Sequence, residues 1–435
     1  MNTDEGLKRQ IGVWGLTSNI INTIIGAGIF VLPAIVSEDL GAAGLLAYLF
    51  CGFLITMILL CFAEVGSKVT TSGGAYAYID AAFGKYFGFI TTNLFIFGAS
   101  LMATAAVANA VADALADVFP VFANELFRII FFIALFSGLT IINVRGVSQG
   151  ITLVKITTVA KLTPLLLFIL IGIPHVKADN LSWSHTPSLE SFGKASLLLF
   201  FAFQGAENSL SVSGEVKNPG KTVPKSILLS AISVLVIYLA VQLVAQGVVG
   251  SSLSGFKGAP LAEVAKRIAG PLGQTVMILG AAISMFGYLS SDILNMPRVL
   301  FRSSKDNVIP IKSLAKVHPR FATPYIAIIS FTALGCFLSI TGGFKQLAIL
   351  STSSVLLIYL GVALSVIKPR VKKPPGESSF RIPGGYMVPV ISVVIILWFL
   401  TNLAFKEVSY MVAFIALLSL IYLIIRYVNA GKQRT

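Results

Sequence analysis

The sequence predicts an all-α membrane protein of twelve transmembrane helices, and three observations lead there. Of its 435 residues 56% are hydrophobic and only 11% charged, against roughly a quarter charged in soluble domains. The apolar residues form continuous blocks of about 20, the length that crosses a ~30 Å hydrocarbon core. Neither amphipathic spacing nor the strict alternation of a membrane β-barrel accompanies them.

The twelve blocks lie at 11–36, 44–65, 87–115, 126–143, 154–173 and 195–213, then at 227–249, 275–300, 325–340, 344–367, 388–404 and 410–427. The first follows a polar segment, 1–10, without the short apolar core and cleavage site of a removable signal peptide, so it is read as a retained helix. A net charge of +14 would raise nucleic acid or an anionic surface as a partner of a soluble protein. Here the basic residues sit in short segments between apolar blocks, the arrangement that sets topology, so the bilayer is the expected partner and nucleic acid is not. With the N-terminus inside, 23 basic residues fall in inner segments and eight in outer ones, leaving Lys161 alone within a span. That bias places both termini in the cytoplasm. Cys51, Cys61 and Cys336 lie in apolar blocks with no paired spacing and read as packing residues.

Two spans are interrupted at membrane depth. Helix 1 carries Gly26-Ala27-Gly28 with Pro33 about a turn on, and helix 6 carries Phe203-Gln204-Gly205-Ala206-Glu207. They lie five helices apart. Interrupted helices at corresponding positions of two halves point to a secondary transporter with an inverted repeat and its substrate at the breaks; the alternative is that small residues merely let helices pack closely. The organisation that follows is a cytoplasmic tail (1–10), a first repeat of helices 1–5 (11–174), an extracellular loop (175–190) and a second repeat of helices 6–10 (191–368). A cytoplasmic linker (369–386), helices 11 and 12 (387–428) and a second cytoplasmic tail (429–435) complete it.

Four stretches then carry a family resemblance: Gly26-Ala27-Gly28-Ile29-Phe30-Val31-Leu32-Pro33, Ser72-Gly73-Gly74-Ala75-Tyr76-Ala77-Tyr78, Phe201-Ala202-Phe203-Gln204-Gly205-Ala206-Glu207, and Glu215-Val216-Lys217-Asn218-Pro219. In combination they resemble the amino acid-polyamine-organocation superfamily of permeases over nearly the whole chain. The resemblance implies the leucine-transporter fold, five plus five helices in inverted repeat with two appended, and transport of amino acids or related amines across the plasma membrane (the inner membrane of a bacterium).

An amino acid at the bilayer midplane needs its carboxylate and ammonium satisfied without water. The half-helix starting near Gly26, Ala27 and Gly28 offers free N–H groups and a positive dipole end to the carboxylate. Carbonyls freed near Thr23, Ile24, Phe201, Gln204 and Gly205 accept from the ammonium. The resemblance implies that Phe201 stacks over the substrate, although a relative has tryptophan there, and that Ala27 replaces a serine hydroxyl. Gly98, Ala99 and Ala103 of helix 3 fall where relatives line the side-chain pocket; they carry no charge, which favours a neutral amino acid. The alternatives are an exchanger for cationic amino acids or polyamines, with Asp292 pairing the cation, and a channel or sensor on a transporter scaffold.

A charge at the centre of a span costs about 2.5 to 3.5 kcal/mol on insertion scales, so Lys161 needs a reason. The resemblance places its ammonium where sodium-coupled relatives bind an ion between helices 1 and 8, as either a proton carrier, making H+ a partner, or a fixed cationic strut. Ser290 and Ser291 keep sodium coupling open. Glu207 is expected to bind loose backbone N–H groups or to act in gating, and Asp292 to pair with a basic neighbour or to be hydrated at a helix end. The segment 214–222 nearly spells a phosphate loop but has Glu215 where glycine is required, and no strand precedes it. His175, His185 and His318 all fall in loops. No cofactor, metal or enzymatic activity is expected.

Overall fold

A computed structural model describes residues 11–68, 75–116, 119–145, 150–183, 186–210, 216–256, 258–368 and 380–432. The tail 1–10, residues 72–74 of the Ser-Gly-Gly motif, His185, Gly214 and Glu215, and most of the 369–386 linker lie outside them. The described chain is overwhelmingly helical, and its one strand-like pairing is an isolated parallel bridge between Ile11 and Val216. In a bilayer the backbone must satisfy its own polar groups, which a helix does and an open strand does not.

The helices are α1 (Val13–Ile24), α2 (Gly28–Leu40), α3 (Gly44–Lys68), α4 (Ala75–Phe83), α5 (Lys85–Asn93), α6 (Leu101–Ala116), α7 (Glu125–Arg145), α8 (Gly150–Gly172), α9 (Leu189–Leu199) and α10 (Ala206–Leu210). They continue with α11 (Pro219–Val249), α12 (Pro260–Lys305), α13 (Tyr325–Thr341), α14 (Phe344–Ile367), α15 (Met387–Thr401) and α16 (Phe405–Lys432). By length and composition seven helical stretches among the described residues can cross a membrane, and three shorter helices are also apolar. The protein is an integral membrane protein.

The first and sixth apolar blocks are the two that split. Helix 1 becomes α1 and α2 with Ile25, Gly26 and Ala27 between them; helix 6 becomes α9, a 3-10 turn over Phe200–Phe203, and the short α10. These four half-helices form the centre. The first half of each broken helix meets the second half of the other: α1 lies on α10 and α2 on α9. Around them α1 also packs on α11, α2 on α12, α12 on α8, and α14 on α3 and α6. On the outside, α16 turns Leu417, Leu420, Leu423 and Ile424 outward, as a lipid-facing helix does.

Two elements differ from the sequence reading. Helix 3 is not a uniform α-helix: between α5 and α6 the segment Leu94–Ser100 is π-helical, a wider turn that shifts the phase of the residues after it. The block expected at 275–300 is part of the longer α12, whose N-terminal segment is set off at Ala269 and Gly270. Gly270 has φ +67, a conformation that L side chains avoid.

Close packing between α8 and α12 depends on Gly280, where an added Cβ would run into the ring of Pro164. Replacing Gly280 with Val forces the two helices apart, and overpacking of this kind costs about 1 to 3 kcal/mol. Gly138→Ala on α7, with no atom within 4 Å of the added methyl, is neutral or slightly stabilising. Thermal melting of the purified protein followed by size-exclusion recovery separates the two: a lower midpoint for Gly280→Val, none for Gly138→Ala.

Candidate functional site

The breaks face one another across a cavity with roughly 500 Å³ of unfilled space, part of it continuous with solvent. Thr23, Ile24, Gly26, Ala27 and Gly28 line it from the first break, and Phe201, Gln204, Gly205 and Glu207 from the second. The other walls come from helix 3 (Phe95, Ala99, Ser100, Ala103), Tyr288 of α12, and Ser351 and Val355 of α14. Lys161 and Asp292 lie behind this lining.

Close approach of the breaks follows from their small residues. A Cβ on Gly28 would come within 2.6 Å of the Ala202 Cβ, and one on Gly205 within 2.5 Å of the Thr23 carbonyl oxygen. Gly205 has φ +111, so glycine is required there by both conformation and space. Ala27 caps α2 without a side-chain hydrogen bond. The Phe30 N–H turns back to Ala27 O at 3.0 Å, while the N–H of Gly28, ahead of the first helical acceptor, lies beside the cavity with the positive end of the helix dipole.

The freed backbone is satisfied from four surrounding helices. Lys161 of α8 is 3% exposed, and its Nζ donates to the carbonyls of Asn22 at 2.5 Å and Ile25 at 2.7 Å. Ser284 of α12 donates to Gly26 O at 3.1 Å. The Tyr238 hydroxyl of α11 reaches both breaks, at 2.9 Å from Ala202 O and 3.4 Å from Ile24 O. Glu207 receives the Gly205 N–H at 3.1 Å and the Tyr359 hydroxyl of α14 at 2.5 Å. Gln204 donates to Thr352 at 2.7 Å, and Thr23 pairs with Ser209 across the α1/α10 contact at 2.9 Å. The Phe201 ring lies edge-on to Phe344, centroids 5.8 Å apart, closing one side of the cavity.

Several sequence expectations are corrected. The α12 hydroxyl that reaches the first break is Ser284; Ser291 instead lies beside Asn295, whose Nδ2 is 3.4 Å from its Oγ. Among the described residues Asp292 has no basic partner, and it lies within α12 and not at its end: it is buried, and its Oδ2 accepts from Ser100 and Thr104 of helix 3 at 2.6 Å each. Ala99 and Ala103 line the cavity, whereas Gly98 turns to Ser354 of α14. Ser284, Tyr288, Tyr238 and Ser351 went unnoticed in the sequence. One signal for them was available: Ser284, Tyr288 and Asp292 recur at intervals of four, which puts them on one face of α12.

A cavity framed by two broken helices, with the interrupted backbone held by neighbours instead of being buried in regular helix, defines a membrane transporter. The chain belongs to the amino acid permease family, whose sequence model matches residues 11–428, within the amino acid-polyamine-organocation superfamily. It is similar to a serine/threonine exchanger of Bacillus subtilis, 27% identical over 399 residues that cover 90% of each chain. A branched-chain amino acid permease of the same organism is 25% identical over 93% of this chain and 90% of its own. A methylthioribose transporter, also of Bacillus subtilis, is 28% identical over 96% of this chain and 93% of its own. These are transporters and not enzymes, and among the described residues no group of three or more His, Cys, Asp and Glu is placed to hold a metal ion.

Lys161→Met removes both ammonium bonds and leaves the Asn22 and Ile25 carbonyls without that donor, while keeping an unbranched stem up to Cε. An unsatisfied buried acceptor costs about 1 to 3 kcal/mol. The expected outcome is a lower melting midpoint and at least a tenfold fall in transport in reconstituted vesicles.

Proposed function

We propose that the protein is a secondary active transporter that moves small neutral amino acids by alternating access around the two breaks, without sodium. One observation carries this reading. A single cavity combines the uncapped start of α2, suited to a carboxylate, with a lining in which Glu207 is the one carboxylate and is already bound by Gly205 and Tyr359. The rest of the lining is neutral, so a zwitterion with a neutral side chain fits where a second cation would meet no free counter-charge. The names of the serine/threonine exchanger and the branched-chain permease agree with this class. Freed carbonyls of Thr23, Phe201 and Gln204 are the acceptors for the substrate ammonium, and Phe201 covers it.

We read the twelve apolar blocks as twelve spans, the first ten as two inverted repeats of five, with both termini cytoplasmic in the plasma membrane. Lys161 supplies a built-in cation against the break of helix 1, at the place where the resemblance puts an ion in sodium-coupled relatives. It works either as the proton carrier of a proton-coupled importer or as the strut of an exchanger.

The test is uptake of labelled neutral and cationic amino acids and a polyamine into proteoliposomes. Saturable uptake of neutral amino acids is expected, faster with unlabelled amino acid preloaded and unchanged when sodium is replaced by choline. Uptake confined to arginine or putrescine would overturn the neutral reading, and flux that neither saturates nor responds to counter-substrate would mean a channel. An inside-alkaline gradient that drives uptake in the wild type but not in Lys161→Ala, while residual exchange against preloaded amino acid persists in that variant, makes Lys161 the proton carrier. Uptake that needs only preloaded counter-substrate makes it a strut.

A further inference from the structure

Ser100 stands between the cavity and Asp292. It lines the cavity, whereas Asp292 does not, and its Oγ lies 2.6 Å from the Asp292 Oδ2 as the donor. Thr104, one turn further along helix 3, donates to the same oxygen at the same distance. A carboxyl oxygen has two lone pairs, and the two hydroxyls use both. The arrangement holds whether or not the far oxygen, Oδ1, carries a proton, because Oδ2 only accepts. Ser100 and Asp292 are 5% and 4% exposed, so water does not compete freely for these bonds.

A serine hydroxyl has one hydrogen and two acceptor sites. With its hydrogen committed to Asp292, Ser100 offers the cavity lone pairs alone, and no described side chain or backbone group donates to it. The other helix 3 residues Ala99 and Ala103 and, from α14, Val355 also line the cavity; their side chains are small and apolar and neither donate nor accept. We infer that Ser100, oriented by Asp292, is a specificity-determining group that favours amino acids whose short side chain carries a hydrogen-bond donor, a hydroxyl above all, over those with an alkyl group of the same shape. Asp292 acts through Ser100 as a positioning residue and does not touch the substrate. The inference rests on the neutral amino acid reading and narrows it.

Isosteric pairs test it, because they differ in the donor and little else: threonine against valine, and serine against 2-aminobutyrate. Each is used as an unlabelled competitor of uptake in proteoliposomes holding the full-length protein. One hydrogen bond to a neutral partner contributes a preference of roughly three- to tenfold, so threonine and serine are expected to compete better than their partners by about that factor. In Ser100→Ala the ratio falls to about one while competition by valine persists, and Ser100→Thr, which keeps the hydroxyl, retains the preference. In Asp292→Val the Ser100 hydrogen is released and the ratio falls, an effect that a general folding defect, lowering both members of a pair together, does not produce. Equal competition within each pair in the wild type overturns this inference alone, as does a ratio that survives Ser100→Ala. A ratio unchanged in Asp292→Val removes the positioning role of Asp292. Competition by neither member of either pair, with arginine active, overturns the neutral reading and this inference with it.

Discussion

Everything at the centre of this molecule follows from the cost of interrupting a helix where there is little water. A peptide group freed from its helix at membrane depth needs another partner, since non-helical backbone is tolerated there only inside protein or beside an aqueous cavity. The breaks at 25–27 and 200–205 free several such groups at once. The protein answers with side chains: from neighbouring helices Lys161 to Asn22 and Ile25, Ser284 to Gly26 and Tyr238 to Ile24 and Ala202, and from the broken helix itself Glu207, braced by Tyr359, to Gly205. Removing any of them exposes a polar group that a soluble protein would leave to solvent.

This constraint also explains the charged residues at membrane depth. Lys161, Glu207 and Asp292 are all buried, and each would be costly in a uniform apolar environment. None makes an ion pair among the described residues. Lys161 is neutralised by carbonyl dipoles, Glu207 by an N–H and a phenol, and Asp292 by two hydroxyls. Dipoles spread over several helices can be exchanged one at a time as helices move, whereas a buried ion pair must be broken whole. A transporter core built from dipole contacts is therefore easier to rearrange.

Much of this was legible in the sequence, and the reasons for success and failure are physical. Block length and the absence of alternation identify membrane helices, because the bilayer imposes one thickness on every segment. The two breaks were visible as glycines in otherwise unbroken apolar runs, and the residues around them do meet at one cavity. What stayed hidden was angular. A run of apolar residues that is hydrophobic all round carries no signal of which face points inward, so nothing in its hydropathy sets Ser284 apart from Ser290 and Ser291. The same holds for helix 3, where Gly98 turns to Ser354 while Ser100, two residues on, meets Asp292. Tyr238 is invisible from sequence for another reason: its role depends on two carbonyls from helices far apart in the chain.

The Tyr238 hydroxyl has a single hydrogen for two acceptors on opposite sides of the break region. At 2.9 Å from Ala202 O and 3.4 Å from Ile24 O, it cannot serve both at full strength, and the shorter contact takes the larger share. The anchorage is therefore lopsided: the end of α9 is tethered to α11, and the end of α1 is only steadied by it. Of Tyr238's two contacts the one to the first broken helix is the weaker, so it is Lys161, through the carbonyls of Asn22 and Ile25, that holds the end of α1 in place.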